Sequence, residues 1–369
     1  MNFYKCTEAV LFLFMVCGAC DELFDGRFGL GREFRRGFAA AGPLLMLMAG
    51  YICLSPVLAR ALRPLLSPVF SAVGADPSLF AGMFFGVDAG GAPFAAELAR
   101  DPQIGVFSGY IVGSVLGPTL TFTIPVAVAS ARGEKARRCV ICGLLAGIIS
   151  APVGIFAGGL ALGIGIGPLM RNLAPILFFV ALLYAGLRFF TGFIMKFFAA
   201  VGKISLAGAF AGLAAGAAQK LFGITVLQGM TPIDEAFLVV GGIAVILAGT
   251  FPLIAVITRL LSKKVDAAAR RLRISPQAVS GLLSTLANSI AMFESLDEMD
   301  DRGKIINVAF AVSAAWVFGD HLGYVSQTRP DVLLPVIAGK LAAGAAAIAA
   351  ALLLCRKAPA DGQRAVPQR

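Results

Sequence analysis

The sequence predicts an all-α polytopic membrane protein, and three observations carry that expectation. Of 369 residues, 58% are hydrophobic and only 14% charged, where soluble domains run near ~25% charged. Several charge-free runs approach ~20 residues, the length a helix needs to cross ~30 Å of hydrocarbon. The basic residues behind a net charge of +10 stand in short clusters between those runs. That pattern orients helices in a bilayer and builds no nucleic-acid face. The expected architecture is about nine transmembrane helices plus two re-entrant hairpins, arranged as an inverted repeat.

The elements follow in chain order. Residues 5–20 enclose VLFLFMVCGAC, short enough to suggest a signal sequence. Only Lys5 precedes it, however, and Asp21-Glu22 follows with no small-residue cleavage site, so it reads as a first span. Residues 38–59, 105–129, 139–167, 173–190, 204–226, 236–261, 305–327 and 332–355 read as the others. Segments 78–99 and 276–296 are apolar but polar at their centres. Basic clusters at Arg27 to Arg36, Arg132 to Arg138, Arg188 to Lys203, Arg259 to Arg273 and Arg356-Lys357 decide their nature. With nine crossings every cluster faces the cytoplasm, leaving isolated bases such as Arg171, Lys220 and Arg329 opposite. If both polar-centred segments also crossed, three clusters would move outside. The two are therefore expected to be re-entrant, one from each side, since broken backbone at membrane depth needs protein or water around it. The N-terminus then lies outside and the C-terminus in the cytoplasm.

A repeat supports this layout. LMAGY (47–51) aligns with ILAGT (246–250), Arg60 with Arg259, Gly82 with Gly281 and Phe94 with Phe293, each at an offset of 199. Phe107 and Phe310 differ by 203 and Gly117 and Gly319 by 202, so the loop after the hairpin is expected to have changed length. The expected units are residues 1–167 and 204–355 as the two repeats, 168–203 as a linking span with a cytoplasmic amphipathic stretch, and 356–369 as a disordered tail. Inverted repeats with discontinuous helices mark secondary transporters, whose sites lie near the bilayer midplane.

Four polar or broken elements are expected at that depth. They are the first hairpin tip with Asp88, Gly90 and Gly91; the second with Asn288 and Ser289; the centre of 105–129 with Gly117, Pro118 and Thr119; and the segment 305–327. In the last, Ser313, Trp316, Asp320, Tyr324 and Gln327 fall on one helical stripe. A carboxylate such as Asp320 is costly in a membrane and needs a partner. Flanked by aromatic faces, it suits a small organic ammonium ion. Blander readings stand beside these: Asp88 and Asn288 as helix N-caps, and Gly117-Pro118 as a packing kink. His321, the only histidine, is either a proton relay or a helix-contact imidazole. The acidic run DEMDD (297–301) reads as a solvated charge cluster, and the CxxC pairs Cys17-Cys20 and Cys139-Cys142 lack companion ligands. No metal, cofactor, catalytic group or nucleic-acid partner is expected; the lipid bilayer is, and a homo-oligomer remains open.

Three blocks carry a family resemblance: GADPSLFAG (74–82) running into VDAGG (87–91) and Glu97; SGYIVGSVLGPTLTFTIPVA (108–127); and TLANSIAMF (285–293) followed by MDDRGKIINVAFAVSAAWVFGDHLGY (299–324). Across residues 38–355 the chain resembles the ethanolamine utilization permease family, EutH, of bacterial inner membranes. It departs from the family pattern at Ser289 and Ala291 in the second hairpin and at Ala96 in the first. The resemblance implies transport of ethanolamine into cells that degrade it to acetaldehyde and ammonia. It implies no binding-residue map, so the site rests on the residues above. A carrier of another small amine or polar metabolite and a passive amine or ammonia channel are the alternatives.

Overall fold

Runs of Ala, Leu, Phe and Gly coil into helices because a bilayer leaves backbone amides no other partners. The computed structural model describes residues 3–357, and no strand occurs among them. The expectation for residues 358–369 lies outside the described residues.

The chain begins with α1 (Phe3–Leu23), a short α2 (Leu30–Ala39) and α3 (Ala41–Ala72). Next come α4 (Leu79–Phe84) and α5 (Ala92–Leu98), the arms of the first hairpin. An interrupted α6 (Pro102–Ala129) leads to α7 (Gly133–Ala161), α8 (Ile166–Phe189) and α9 (Thr191–Phe222). The 40-residue α10 (Ile233–Leu272) is about 60 Å long, twice the hydrocarbon thickness. The second hairpin has arms α11 (Pro276–Ala287) and α12 (Ser289–Glu294). It is followed by α13 (Asp301–Ala314), α14 (Asp320–Thr328) and α15 (Leu333–Lys357).

Among the described residues, seven stretches are long and apolar enough to cross a bilayer. The nine expected spans include two segments outside that set. Residues 5–20 lie in α1, an unbroken helix. Residues 305–327 do not form one helix: the chain leaves α13 at Ala314 and re-enters at Asp320, with Trp316 at φ +59°. The released amides are not orphaned. Trp316 N–H donates to Thr285 O (3.0 Å) and Phe318 N–H to Leu286 O (2.8 Å), both on the second hairpin. The expected single stripe from Ser313 to Gln327 is therefore wrong, because the hairpin tip competes successfully for the backbone.

Two packed blocks result. One joins α1, α2, α3, α9 and α10; the other joins both hairpins with α6, α7, α13 and α15, and α14 packs mainly on α10 between them. Glycines let backbones touch inside each block. Gly50 of α3 abuts the Ala209 carbonyl of α9, and Gly249 of α10 abuts the Leu11 carbonyl of α1. Gly117 presses on the Phe85 carbonyl at the first hairpin tip, and Gly319 on the Ala287 carbonyl at the second. No side-chain carbon fits at any of the four.

Each hairpin is tied at its base. Asp76 accepts from the backbone amides of Ser78 (2.8 Å), Arg100 (3.0 Å) and Asp101 (3.1 Å), clamping both ends of the first. Asp300 accepts from Ser275 N–H (2.6 Å) and Gly303 N–H (3.2 Å), joining the start of the second to α13. Ser108 Oγ donates to Ser78 O (2.6 Å), and Asn307 Nδ2 to Ala278 O (2.9 Å). The acidic run 297–301 is thus more than solvated charge: Asp300 is a helix cap, while Asp297 and Asp301 pair with Arg132 and Lys135 before and within α7.

Candidate functional site

The breaks in α6 and between α13 and α14 face the hairpin tips, and there the polar residues gather. In the first tip, Gly90 takes φ +85° against the Tyr51 side chain of α3, a position with no room for a Cβ. Gly91 lies against the Gly86 carbonyl, and Thr119 Oγ1 donates to Val312 O (3.2 Å), tying α6 to α13. Asn288 caps α12, as expected of a helix N-cap, by accepting from Ile290 N–H (2.8 Å). Asp88 caps neither arm: α5 begins at Ala92 after Gly91, with no side-chain cap.

Asp88 instead takes part in a chain of three residues. Its Oδ1 lies 3.7 Å from His321 Nε2, and His321 Nδ1 lies 3.0 Å from Lys340 Nζ on α15. Lys340 Nζ also donates to Ser114 O (2.5 Å) beside the break in α6. As an ammonium, Lys340 has donors and no acceptor, so Nδ1 accepts from it and the imidazole proton then sits on Nε2, facing Asp88. Lys340 and His321 are each only 1% exposed. His321 is therefore no lone helix-contact imidazole, because it bridges a buried cation and a carboxylate.

Asp320 stands first in α14, where the exposed amides of a helix start favour negative charge. Its carboxyl, half-buried, has neither hydrogen bond nor ion pair with any described residue, and the charge of Asp88 acts on it. The neighbouring aromatic is Trp316, whose ring centroid lies 5.6 Å from that of His321 and 4.9 Å from Phe122. Tyr324 is buried and pairs with Tyr110 at 6.1 Å, so the expected aromatic pair around one helical stripe is not formed. Gln327, exposed, packs on Gly242 of α10 instead.

The hydroxyls of Thr285, Ser289 and Ser313 are buried without a hydrogen-bond partner among the described residues. Such orphaned groups near a hairpin tip are ready contacts for a small polar ligand. Asn288 lines a cavity of about 290 Å³ together with Arg32, Arg36, Phe251 and Ser284. Lys340 and Ser114 were not among the residues expected here. A solitary lysine in the otherwise apolar 332–355 run was the available signal, since such residues mark functional positions in membranes.

Paired hairpins meeting broken helices, with acids, an imidazole and a lysine enclosed between them, define a multi-pass membrane protein with an internal polar site. The chain belongs to the family described as ethanolamine utilisation protein, EutH, whose profile it matches over residues 5–354. It is 43% identical to the probable ethanolamine permease EutH of Listeria monocytogenes over 348 residues, covering 94% of this chain and 93% of that protein. Identity to the probable ethanolamine permease EutH of Escherichia coli is 36%, covering 96% of each chain. An uncharacterised Bacillus subtilis protein, YxeR, is 39% identical, covering 97% of this chain and 98% of its own. No solved structure matches this chain.

Proposed function

We propose that the protein is a secondary transporter of the bacterial inner membrane that imports ethanolamine as its protonated, singly charged form. The names of its relatives support ethanolamine as the cargo and a permease rather than an enzyme. The observation that carries the cationic form is Asp320, a half-buried carboxyl with no hydrogen bond or ion pair to any described residue. A negative charge at membrane depth is stable only when something neutralises it, and an ammonium group does so. Trp316 offers its ring face to the same cation, and the unpartnered hydroxyls of Ser289, Ser313 and Thr285 suit the alcohol end.

In this reading the hairpins are re-entrant, the site lies near the midplane, and the N-terminus is outside. Duplicated contacts support the inverted repeat. Gly50–Ala209 and Gly249–Leu11 are related by offsets of 199 and 198, and Gly117–Phe85 and Gly319–Ala287 both by 202. The repeats are residues 1–167 and 204–355, linked through 168–203.

The test is uptake of labelled ethanolamine by vesicles containing the purified protein. Saturable uptake, accelerated by unlabelled ethanolamine preloaded inside, supports the carrier. Unsaturable flux without counterflow would leave a passive channel as the better description.

A further inference from the structure

The enclosed charges do not number what a simple acid-lined cation site would need. Asp88 and Asp320 are both present at the site, and Lys340 is the buried cation opposite them. His321 stands between Lys340 and Asp88 with one nitrogen toward each, so it transmits the pairing without adding charge. Tyr324 and Tyr110 are the other titratable groups near the acids, and both are neutral phenols at neutral pH. In their charged forms, two carboxylates and one ammonium leave one unmatched negative charge; Asp88 has a chain to Lys340 and Asp320 has no partner among the described residues, so the geometry puts it on Asp320.

We infer that Lys340 is a specificity-determining residue: by occupying Asp88 through His321, it restricts the site to one external positive charge. The inference rests on the reading of this site as a cation carrier. A monoamine bound at Asp320 leaves the enclosed charges balanced. A diamine would leave one positive charge in excess, and an unmatched charge away from water is costly. Without Lys340 the balance reverses: one monoamine leaves a carboxylate uncovered, whereas a short diamine covers both. Lys340 thus works as a tethered second cation. It touches no substrate in this scheme and acts through His321 and Asp88.

The test uses the full-length protein in vesicles, with ethanolamine and 1,3-diaminopropane, doubly charged at neutral pH, as competitors of labelled ethanolamine. Wild type should prefer ethanolamine at least tenfold. Lys340→Met should reverse that order, with diamine competition improving at least tenfold; binding of both amines to purified protein gives the same ranking if uptake is lost. Asp88→Asn alone, which strands the lysine charge, should lose ethanolamine. Asp88→Asn combined with Lys340→Met should regain it to at least a third of the wild-type rate and still refuse the diamine.

An unchanged ranking in folded Lys340→Met overturns the inference, as does a folded double variant no better than Asp88→Asn. Should Lys340→Met not fold, the double variant decides alone. Absence of ethanolamine uptake or binding by wild type would instead sink the proposed cargo.

Discussion

Lys340 Nζ lies 3.0 Å from His321 Nδ1, linking the first third of α15 to the first turn of α14. Because His321 also faces Asp88, the two hairpin-bearing halves of the chain meet through one imidazole. Asp320, the adjacent residue, is left out of that chain.

That separation predicts unequal roles for the acids. Asp320→Asn should abolish saturable ethanolamine uptake, at least a hundredfold, because it removes the one carboxylate free to meet the cation. Protein yield and elution on size exclusion should not change. Normal uptake by folded Asp320→Asn would remove the site from consideration.

The indole of Trp316 is predicted to contribute through its ring face. Cation–π contacts are worth about 0.5–2 kcal/mol, so Trp316→Ala should raise KM for ethanolamine roughly 3- to 30-fold, with Trp316→Phe between. A neutral competitor of the same shape should be insensitive to the change, which separates this effect from altered packing.

Backbone contacts at the hairpin tips set a steric prediction. Gly117→Ala and Gly319→Ala each place a carbon against a fixed carbonyl and should cost about 1–3 kcal/mol. Gly208, with open space where its side chain would be, is the control: Gly208→Ala should be neutral or stabilise by up to about 1 kcal/mol. Thermal unfolding in detergent reads all three.

The clamp at Asp76 predicts a stability loss of similar size. Three backbone amides donate to its carboxylate, and hydrogen bonds to charged groups are worth about 1.5–3 kcal/mol each. Asp76→Ala should lower the unfolding midpoint and expose residues 78–100 to proteolysis. An unchanged cleavage pattern would mean the hairpin base is held by something else.

Orientation can be read by cysteine labelling in a cysteine-free background. Gln228→Cys, in the exposed loop before α10, should react with an impermeant thiol reagent applied to intact cells. Arg271→Cys, at the far end of α10, should react only after the membrane is opened. The opposite result would invert the topology.

Much of this arrangement was legible in the sequence, because charge and aromatic residues inside apolar runs are conspicuous. Asp88, Asp320 and Trp316 were found that way, and Gly50 and Gly249 through the aligned LMAGY and ILAGT. Lys340 shows the same signal yet was passed over in a run otherwise fit to span.

The break after Ala314 was not legible for a physical reason. AVSAAWVFG contains no proline, and only its closing glycine is a strong helix breaker. The interruption is imposed from outside, by the carbonyls of Thr285 and Leu286. Contacts at the hairpin bases, Ser108–Ser78 and Asn307–Ala278, correspond at offsets of 199 and 200, while those at the tips, Gly117–Phe85 and Gly319–Ala287, correspond at 202.

The glycine contacts have a mechanical consequence. Where main chain rests directly on main chain, as at Gly50 and Gly249 in one block and Gly117 and Gly319 in the other, there is no pliable layer to shear. Elsewhere the fit is as close with side chains: the Tyr51 Cβ meets Gly90, the Gln327 amide Gly242 and the Ile243 side chain Gly323. Helices seated this tightly have no slack to absorb added bulk, so a larger residue at any of these glycines should displace the neighbouring helix as well as its own.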